Sequence, residues 1–249
     1  MKGKFKIVVP SFNCPRYLTK ALTSLENQSY KNYQVCVIDD ASTLPDHKKV
    51  VLEFCNRNDW LSIFHEKNLG PLTGIIDGIH ALKCRDEDVI VMMDGDDWLY
   101  NDQALEILHR AYSNHDIYLT WGSFITDPPH CIHMNYADTI TKEIIDKKQF
   151  REITDIFGHL RTFKYRLFRE IKDSDFRDPK TKEYFRFSGD KALMYPMLEM
   201  AGEKIYFIPD ILYVYNINNP LNDFKINRPE QIEATNYIRG KPVYPTLEL

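Results

Sequence analysis

The chain has 249 residues, 43% of them apolar and 27% charged, with a formal net charge of −4. This length suits one large domain, or one domain with an appendage, and is enough to bury a full core. The charge balance gives no general reason to expect a nucleic-acid partner. No run of eighteen apolar residues marks a membrane span, and five scattered cysteines without a Cys-x-x-Cys pair argue against a disulfide scaffold or zinc ribbon.

The basic start, Met1 to Lys6, runs into Phe5-Lys6-Ile7-Val8-Val9, a strand-like run ended by Pro10 and not a signal-peptide core. The expectation is a cytoplasmic chain, able to sit peripherally on a membrane. Pro15 to Asn27 places Leu18, Ala21, Leu22 and Leu25 at helical spacing, with Pro15 in the first turn. Gln34 to Ile38 is the second strand, stopped by Asp39-Asp40. A helix around Asp46 to Asn56, a strand at Leu61 to His65, and a loop at Asn68-Leu69-Gly70-Pro71 follow, the loop leading into a helix that ends near Lys83. Val89 to Met93 is continuously apolar, as a strand buried on both faces requires, and Asn101 to Ser113 reads as the next helix. Past Tyr118 the pattern turns irregular, with a helix at Ser188 to Ala201 and short strands near Ile205 to Ile208 and Leu212 to Tyr215. The tail from Lys225 has three prolines and little periodicity, which suggests an arm over the surface.

Alternating strands and helices predict an α/β fold with parallel strands. Two strands end in carboxylates, Asp39-Asp40 and Asp94-Gly95-Asp96-Asp97, and ligands of such sheets bind outside the carboxyl ends of the strands. Residues 39–106 carry 15 acidic and 6 basic residues, whereas residues 142–191 carry 14 basic and 10 acidic. Either these are solvated faces, or a region that holds a cation is followed by one suited to anions.

Three carboxylates in four residues repel one another unless a cation or solvent screens them. A hard divalent ion can share such a site with a diphosphate and water; an acidic helix-capping turn is the plainer alternative. An EF-hand is excluded, because the twelfth position from Asp94 is Leu105. Asp39-Asp40, with Pro10-Ser11-Phe12-Asn13, offers a carboxylate for a base or ribose and a ring to flank the base, or merely a helix cap. His159, Arg161 and Lys164 fall within six residues and suit phosphate oxygens, or else a basic surface strand. Ser188-Gly189-Asp190 opens a helix, where Asp190 is a cap or a general base. His130-Cys131-Ile132-His133 lacks a fourth zinc ligand and reads as a loop.

In order along the chain, Val8-Val9-Pro10-Ser11-Phe12-Asn13, Val37-Ile38-Asp39-Asp40-Ala41-Ser42, Asn68-Leu69-Gly70 and Met93-Asp94-Gly95-Asp96-Asp97-Trp98 resemble glycosyltransferase family 2, which has the GT-A fold. The resemblance spans roughly residues 4–223. It implies a Rossmann-like sandwich with a mostly parallel sheet, an irregular acceptor region and an extended tail. The nucleotide-sugar half would be residues 1–115, the acceptor half 116–224, and the arm 225–249. It also implies transfer of a sugar from a nucleoside diphosphate, UDP being commonest, to a glycan, lipid-linked or protein hydroxyl, usually with inversion. By the same resemblance Pro10, Ser11, Phe12, Asn13, Asp40, Asn68 and Gly70 meet the donor. Asp97, then Asp96, bind Mn2+ or Mg2+. Asp190 is the base, while His159, Arg161 and Lys164 lie near the diphosphate, and Tyr213-Val214-Tyr215-Asn216 closes the site.

Two departures stand out. Ile75 and Ile76 occupy positions where many members carry Arg and Asn, and Asn216-Ile217-Asn218-Asn219-Pro220 lacks the His many members have there, for which His159 is the candidate substitute. A nucleotidyltransferase, which would want a glycine-rich basic loop after the first strand, and a catalytically silent sugar- or nucleotide-binding module are the alternatives.

Overall fold

A computed structural model describes residues 1, 3–114, 116–129, 140–153, 157–222 and 227–248. The first half alternates up to β4, which is followed directly by a short strand: β1 (Phe5–Ser11), α1 (Pro15–Glu26), β2 (Tyr33–Asp39), α2 (Pro45–Asn58), β3 (Leu61–Phe64), α3 (Pro71–Ala81), β4 (Val89–Met92), β5 (Trp98–Leu99) and α4 (Ala104–Asn114). The second half adds β6 (Leu119–Asp127), α5 (Lys142–Asp146), β7 (Arg161–Lys164), α6 (Tyr165–Phe168), α7 (Gly189–Ala201), β8 (Ile205–Asn216) and a C-terminal helix, Arg228–Arg239.

One sheet of eight strands runs β3-β2-β1-β4-β7-β6-β8-β5. The pairs β3-β2, β2-β1, β1-β4 and β6-β8 are parallel, whereas β7 runs antiparallel to both β4 and β6. The expected α/β sandwich with a mostly parallel sheet is therefore present, with antiparallel strands in its second half.

The continuous apolar runs of β1 and β4 are explained by the two cores. Alternate residues of a strand point to opposite faces. Phe5, Ile7, Val9, Val89 and Val91 join the face covered by α1, α2 and α4, while Val8, Ile90 and Met92 join the face covered by α3 and α7. Helix α1 buries the four residues its spacing predicted, Leu18, Ala21, Leu22 and Leu25, and starts at Pro15. Helix α7 is buried on nearly all sides and reads as apolar all round.

Three expectations need correction. The irregular stretch after Tyr118 contains β6, nine residues long, which pairs along its whole length with β8. The two short strands expected near Ile205 and Leu212 are one strand of twelve residues. Its register jumps from Gly122↔Ile208 to Ser123↔Ile211, so Pro209 and Asp210 bulge out of the ladder. A proline cannot donate to the ladder, which is why the break looked like a strand end. The tail is not wholly aperiodic. Pro229 sits in the first turn of the C-terminal helix, where it needs no N–H, and Glu, Gln and Ala continue it.

That tail is held by a buried ion pair. Arg151 makes a two-pronged contact with Glu199, and its Nη1 also donates to the carbonyls of Ile238 (2.8 Å) and Lys241 (3.1 Å). Glu199 in turn accepts from the Tyr244 N–H at 2.9 Å. Among the described residues no helix is long and apolar enough to cross a membrane.

Candidate active site

Strands β1, β2 and β4 end on one side, and the reversal of strand order beside β1 opens a crevice there. The crevice is a cleft of about 1090 Å³, lined by residues from all three strand ends, from α3, from the start of α7 and from the C-terminal helix.

The floor is the turn after β4. Gly95 donates to the Pro10 carbonyl at 3.0 Å, and a Cβ at position 95 would lie 2.6 Å from Ser11 Cβ. Only glycine lets the acidic turn lie this close to β1. Asp97 is 1% exposed. Its Oδ1 accepts from the Asn216 N–H at 2.8 Å, and its Oδ2 is buried with no hydrogen-bond partner. Burial, then the charges of Asp96 and Asp94, push its carboxyl well above the ordinary range, although the Asn216 N–H pulls the other way. Such an orphaned buried oxygen carries a large desolvation penalty unless something positive reaches it.

A cation fits there. Ligand atoms of Asp94, Asp97 and His159 all lie within 4.8 Å of one another. Burial, and secondarily Arg161, hold the His159 pKa well below its usual value, with Asp190 opposing, so the imidazole is neutral and able to ligate. The His159 ring stacks on Tyr213 with centroids 4.7 Å apart and planes 9° apart. The Tyr213 hydroxyl accepts from the Asp94 N–H at 3.1 Å. Tyr213 thus bears on all three groups at once, since its hydroxyl also opposes the rise in the Asp97 pKa.

Asp96 lines the cleft but is not part of this cluster. Its Oδ2 accepts from Asn219 Nδ2 at 2.7 Å, and its carbonyl from Asn216 Nδ2 at 3.1 Å. The segment that lacks the family's histidine therefore clamps the acidic turn from above. Asn218 turns elsewhere: its N–H donates to Asn216 Oδ1 at 3.0 Å.

Ser11, Phe12 and Pro10 line the cleft wall at the end of β1. The Cys14 N–H donates to His47 Nδ1 at 3.2 Å, so Nε2 carries the proton and donates to Ser11 Oγ at 3.0 Å. Ser11 Oγ in turn donates to the Ile38 carbonyl at 2.8 Å. Asn13 is not among the lining residues. Held at φ 47°, it accepts from the Thr43 and Leu44 N–H groups and stitches the loops after β1 and β2 together.

Asp40 lines the cleft and also organises the next loop. Its Oδ1 accepts from the Leu69 N–H and its Oδ2 from the Gly70 N–H, both at 2.8 Å. Gly70 adopts φ 88°, a conformation that favours glycine. Asn68 donates to the Asp40 carbonyl at 3.2 Å and accepts from Arg186. Ile75, where the family often has a polar residue, borders the same cleft from the edge of the core, and Ile76 lies in the same core without lining the cleft.

The antiparallel register separates Arg161 from Lys164. Arg161 pairs with Met92 at the crevice end of β4, and Lys164 with Val89 at the other end. Three residues of strand are roughly 10 Å. Lys164 accordingly does not line the cleft; its Nζ meets Glu87 at 3.1 Å and sits 4.2 Å over the Tyr118 ring. Spacing in the sequence brought Lys164 next to Arg161, but strand polarity carries it away. Arg161 donates to the Phe157 carbonyl at 2.8 Å, and its Nη2 lies 3.3 Å from Asp190 Oδ2.

Asp190 stands at the start of α7 with its side chain 29% exposed to the cleft. Burial raises its pKa, but the charges of Lys191 and Arg161 outweigh it and hold the carboxyl down at about 2. It is ionised at any physiological pH. His130 to His133 lie outside the described residues.

With this geometry in hand, comparison with known proteins decides the family. The model of glycosyl transferase family 2 matches residues 6–172. The chain belongs to that family. An uncharacterized glycosyltransferase of Mycoplasma genitalium is 24% identical over 230 residues, covering 92% of this chain and 66% of that protein. Glycosyltransferase GlyG of Streptococcus pneumoniae is 24% identical over 229 residues, 86% of this chain and 71% of its own. The chain thus spans about two thirds of the length of these relatives. Two solved structures share the fold. Staphylococcus aureus TarS 1-349 in complex with UDP has a TM-score of 0.67 at 18% identity, covering 95% of this chain and 64% of that one. The mannosyltransferase PcManGT of Pyrobaculum calidifontis, in complex with GDP-Man and Mn2+, has a TM-score of 0.64 at 15% identity, covering 98% and 66%.

Asp94 joins Asp97 and His159 in the cluster, where the sequence pattern points to Asp97 and then Asp96, and Tyr213 of the closing segment lies against it. The three-residue step from Asp94 to Asp97 across a turn is the signal available in the sequence.

Proposed function

We propose that this chain transfers a sugar from a nucleoside diphosphate donor, a UDP-sugar being favoured, to an acceptor hydroxyl by metal-dependent, inverting displacement. The observation that carries the reading is Asp97, buried with an unpartnered Oδ2 and grouped with Asp94 and His159, in a cleft that also holds Asp190. Asp97, Asp94 and His159 would hold a Mn2+ or Mg2+ ion, with Asp96 beside them at the cleft surface. When bound, the ion neutralises charge that develops on the departing diphosphate.

The remaining steps belong to the chain itself. Pro10, Ser11, Phe12 and Asp40 border the place where the base and ribose lie, and Asn68 and Gly70 complete that wall. Arg161 donates to diphosphate oxygens, which draws it from Asp190. Loss of that ion pair raises the Asp190 pKa, and a stronger base results where the acceptor hydroxyl must lose its proton. Asp190 then takes the proton as the acceptor oxygen attacks the anomeric carbon from the face opposite the diphosphate. Electrostatic stabilisation of the leaving group is the larger effect, and the base contributes about 10²–10⁴-fold.

A panel of UDP-, GDP- and dTDP-sugars with Mn2+ tests the reading through release of free sugar. Release that depends on metal and is lost in Asp97→Ala is expected. A silent binding module releases none, and a nucleotidyltransferase instead turns over a nucleoside triphosphate. On the true acceptor, Asp190→Asn should lower kcat with little change in donor binding. Normal turnover by that variant would remove Asp190 from the role of base.

A further inference from the structure

Helix α3 lies close against the sheet. A Cβ at Gly78 would come within 2.9 Å of Ile38 and 3.0 Å of Val8, so glycine there lets the helix approach β1 and β2. The residue before it, Asp77, is thereby brought within reach of His65, one residue past β3.

The His65 ring lies between two carboxylates. Its Nδ1 is 2.8 Å from Asp40 Oδ1, and its Nε2 is 3.2 Å from Asp77 Oδ2. An ionised carboxylate only accepts, so Nδ1 carries a proton and donates to Asp40. The His65 side chain is buried, whereas that of Asp77 is 41% exposed. Neither residue lines the cleft, but Asp40 does. The His65 N–H donates to the Asp39 carbonyl at 3.0 Å, which anchors the ring to the sheet.

Asp40 has other partners, but they are of a different kind. The Leu69 and Gly70 N–H groups belong to the loop that Asp40 organises, and they share whatever motion that loop has. His65 instead ties the carboxylate to the end of a strand and, through Asp77, to α3. A carboxylate offers about four acceptor positions. Among the described residues, His65 and Leu69 take both positions on Oδ1, and Gly70 takes one on Oδ2. One position on Oδ2 remains for a ligand in the cleft.

We propose that His65, backed by Asp77, is a positioning residue for the nucleotide: it sets the Asp40 carboxylate so that the remaining position on Oδ2 accepts an N–H or O–H of the nucleoside. The proposal rests on Asp40 bordering the base and ribose of the sugar donor. Neither His65 nor Asp77 touches the nucleotide. Their contribution is preorganisation, because a carboxylate already held in place loses no freedom when the nucleotide arrives.

Calorimetry of UDP, GDP and dTDP with the full chain in Mn2+ tests it, with Mn2+-pyrophosphate as the ligand that lacks a nucleoside. His65→Ala should weaken the tightest of the three nucleotides about tenfold and leave pyrophosphate within about twofold. His65→Asn, which offers an amide N–H near the place of Nδ1, should recover most of the loss. Asp77→Ala should weaken the same nucleotide about threefold. In metal-dependent hydrolysis of the matching nucleotide sugar, the loss should appear in KM and not in kcat. Unchanged nucleotide affinity in His65→Ala and Asp77→Ala, or an equal loss for nucleotide and pyrophosphate, overturns the proposal. Should His65→Ala lose its native circular dichroism, Asp77→Ala decides: a loss confined to the nucleotide supports the proposal, and no loss overturns it. If none of the three nucleotides binds the wild type, the sugar-donor reading fails and this inference with it. If one binds with an affinity indifferent to His65, only this inference fails.

Discussion

Replacing Asp97 by Asn separates a metal site from a buried structural turn. The substitution keeps the size of the side chain and the bond from the Asn216 N–H to Oδ1. It removes a charge that is 1% exposed, repelled by Asp96 and Asp94, and left without a partner at Oδ2. An unsatisfied buried acceptor costs roughly 1–3 kcal/mol, and more when charged. For a chain of this size each kcal/mol moves Tm by about 2–4 °C. Without metal at pH 7.5, Asp97→Asn should therefore melt ~2–12 °C above the wild type. The sign follows from the raised folded-state pKa: the protonated form is the one the fold favours, so the wild type gains stability as pH falls through that pKa and loses it as pH rises. The advantage of the variant should accordingly narrow in acid. Mn2+ at a hundredfold excess over its Kd should stabilise the wild type by about 2.7 kcal/mol, or ~5–11 °C. The variant should not respond. Scanning calorimetry in EDTA and in Mn2+ reads both effects. A variant that melts below the wild type in EDTA and still shifts with Mn2+ would refute the reasoning.

Three further outcomes follow from the same geometry. Tyr213→Phe keeps the ring that stacks on His159 but strands the Asp94 N–H, so it should lose ~1–3 kcal/mol of stability and weaken Mn2+ binding several-fold by calorimetry. Asp190 should stay ionised down to acid pH in a carboxyl NMR titration, with a midpoint of about 2 that rises in Arg161→Ala and on adding a metal-loaded donor. Because that pKa is depressed from 3.8, its contribution to stability is present above the unfolded value and lost as pH falls towards 2. Arg151→Ala leaves Glu199 buried without its partner, which should cost about 3–5 kcal/mol and lower Tm by ~6–20 °C, visible in calorimetry.

The first half of the molecule was legible because local patterns and the fold agree there. Leu18, Ala21, Leu22 and Leu25 mark one face of α1, and the apolar run of β4 means burial on two faces, with carboxylates where the strand stops. The second half was less legible because its structure depends on distant partners. Strand β6 is recognisable through β8, and β8 is interrupted by Pro209. Lys164 was assigned by distance along the chain, but an antiparallel strand takes it to the other end of the sheet. Ligand geometry was the least legible of all. Four residues hold three aspartates, and which of them converge on His159 depends on the turn between Asp94 and Asp97 and on the clamp from Asn216 and Asn219. The C-terminal helix escaped notice because its inward stripe is polar, and hydrophobic periodicity cannot detect such a face.

The central claim is that Asp97, Asp94 and His159 make this cleft a metal-dependent donor site for inverting transfer. Proton NMR of the sugar freed from α-linked UDP-sugars, recorded before mutarotation, tests it most directly. The account predicts a first-formed β-anomer in Mn2+, and none in EDTA or with Asp97→Ala. Release of the α-anomer, or release that is indifferent to metal, would contradict it.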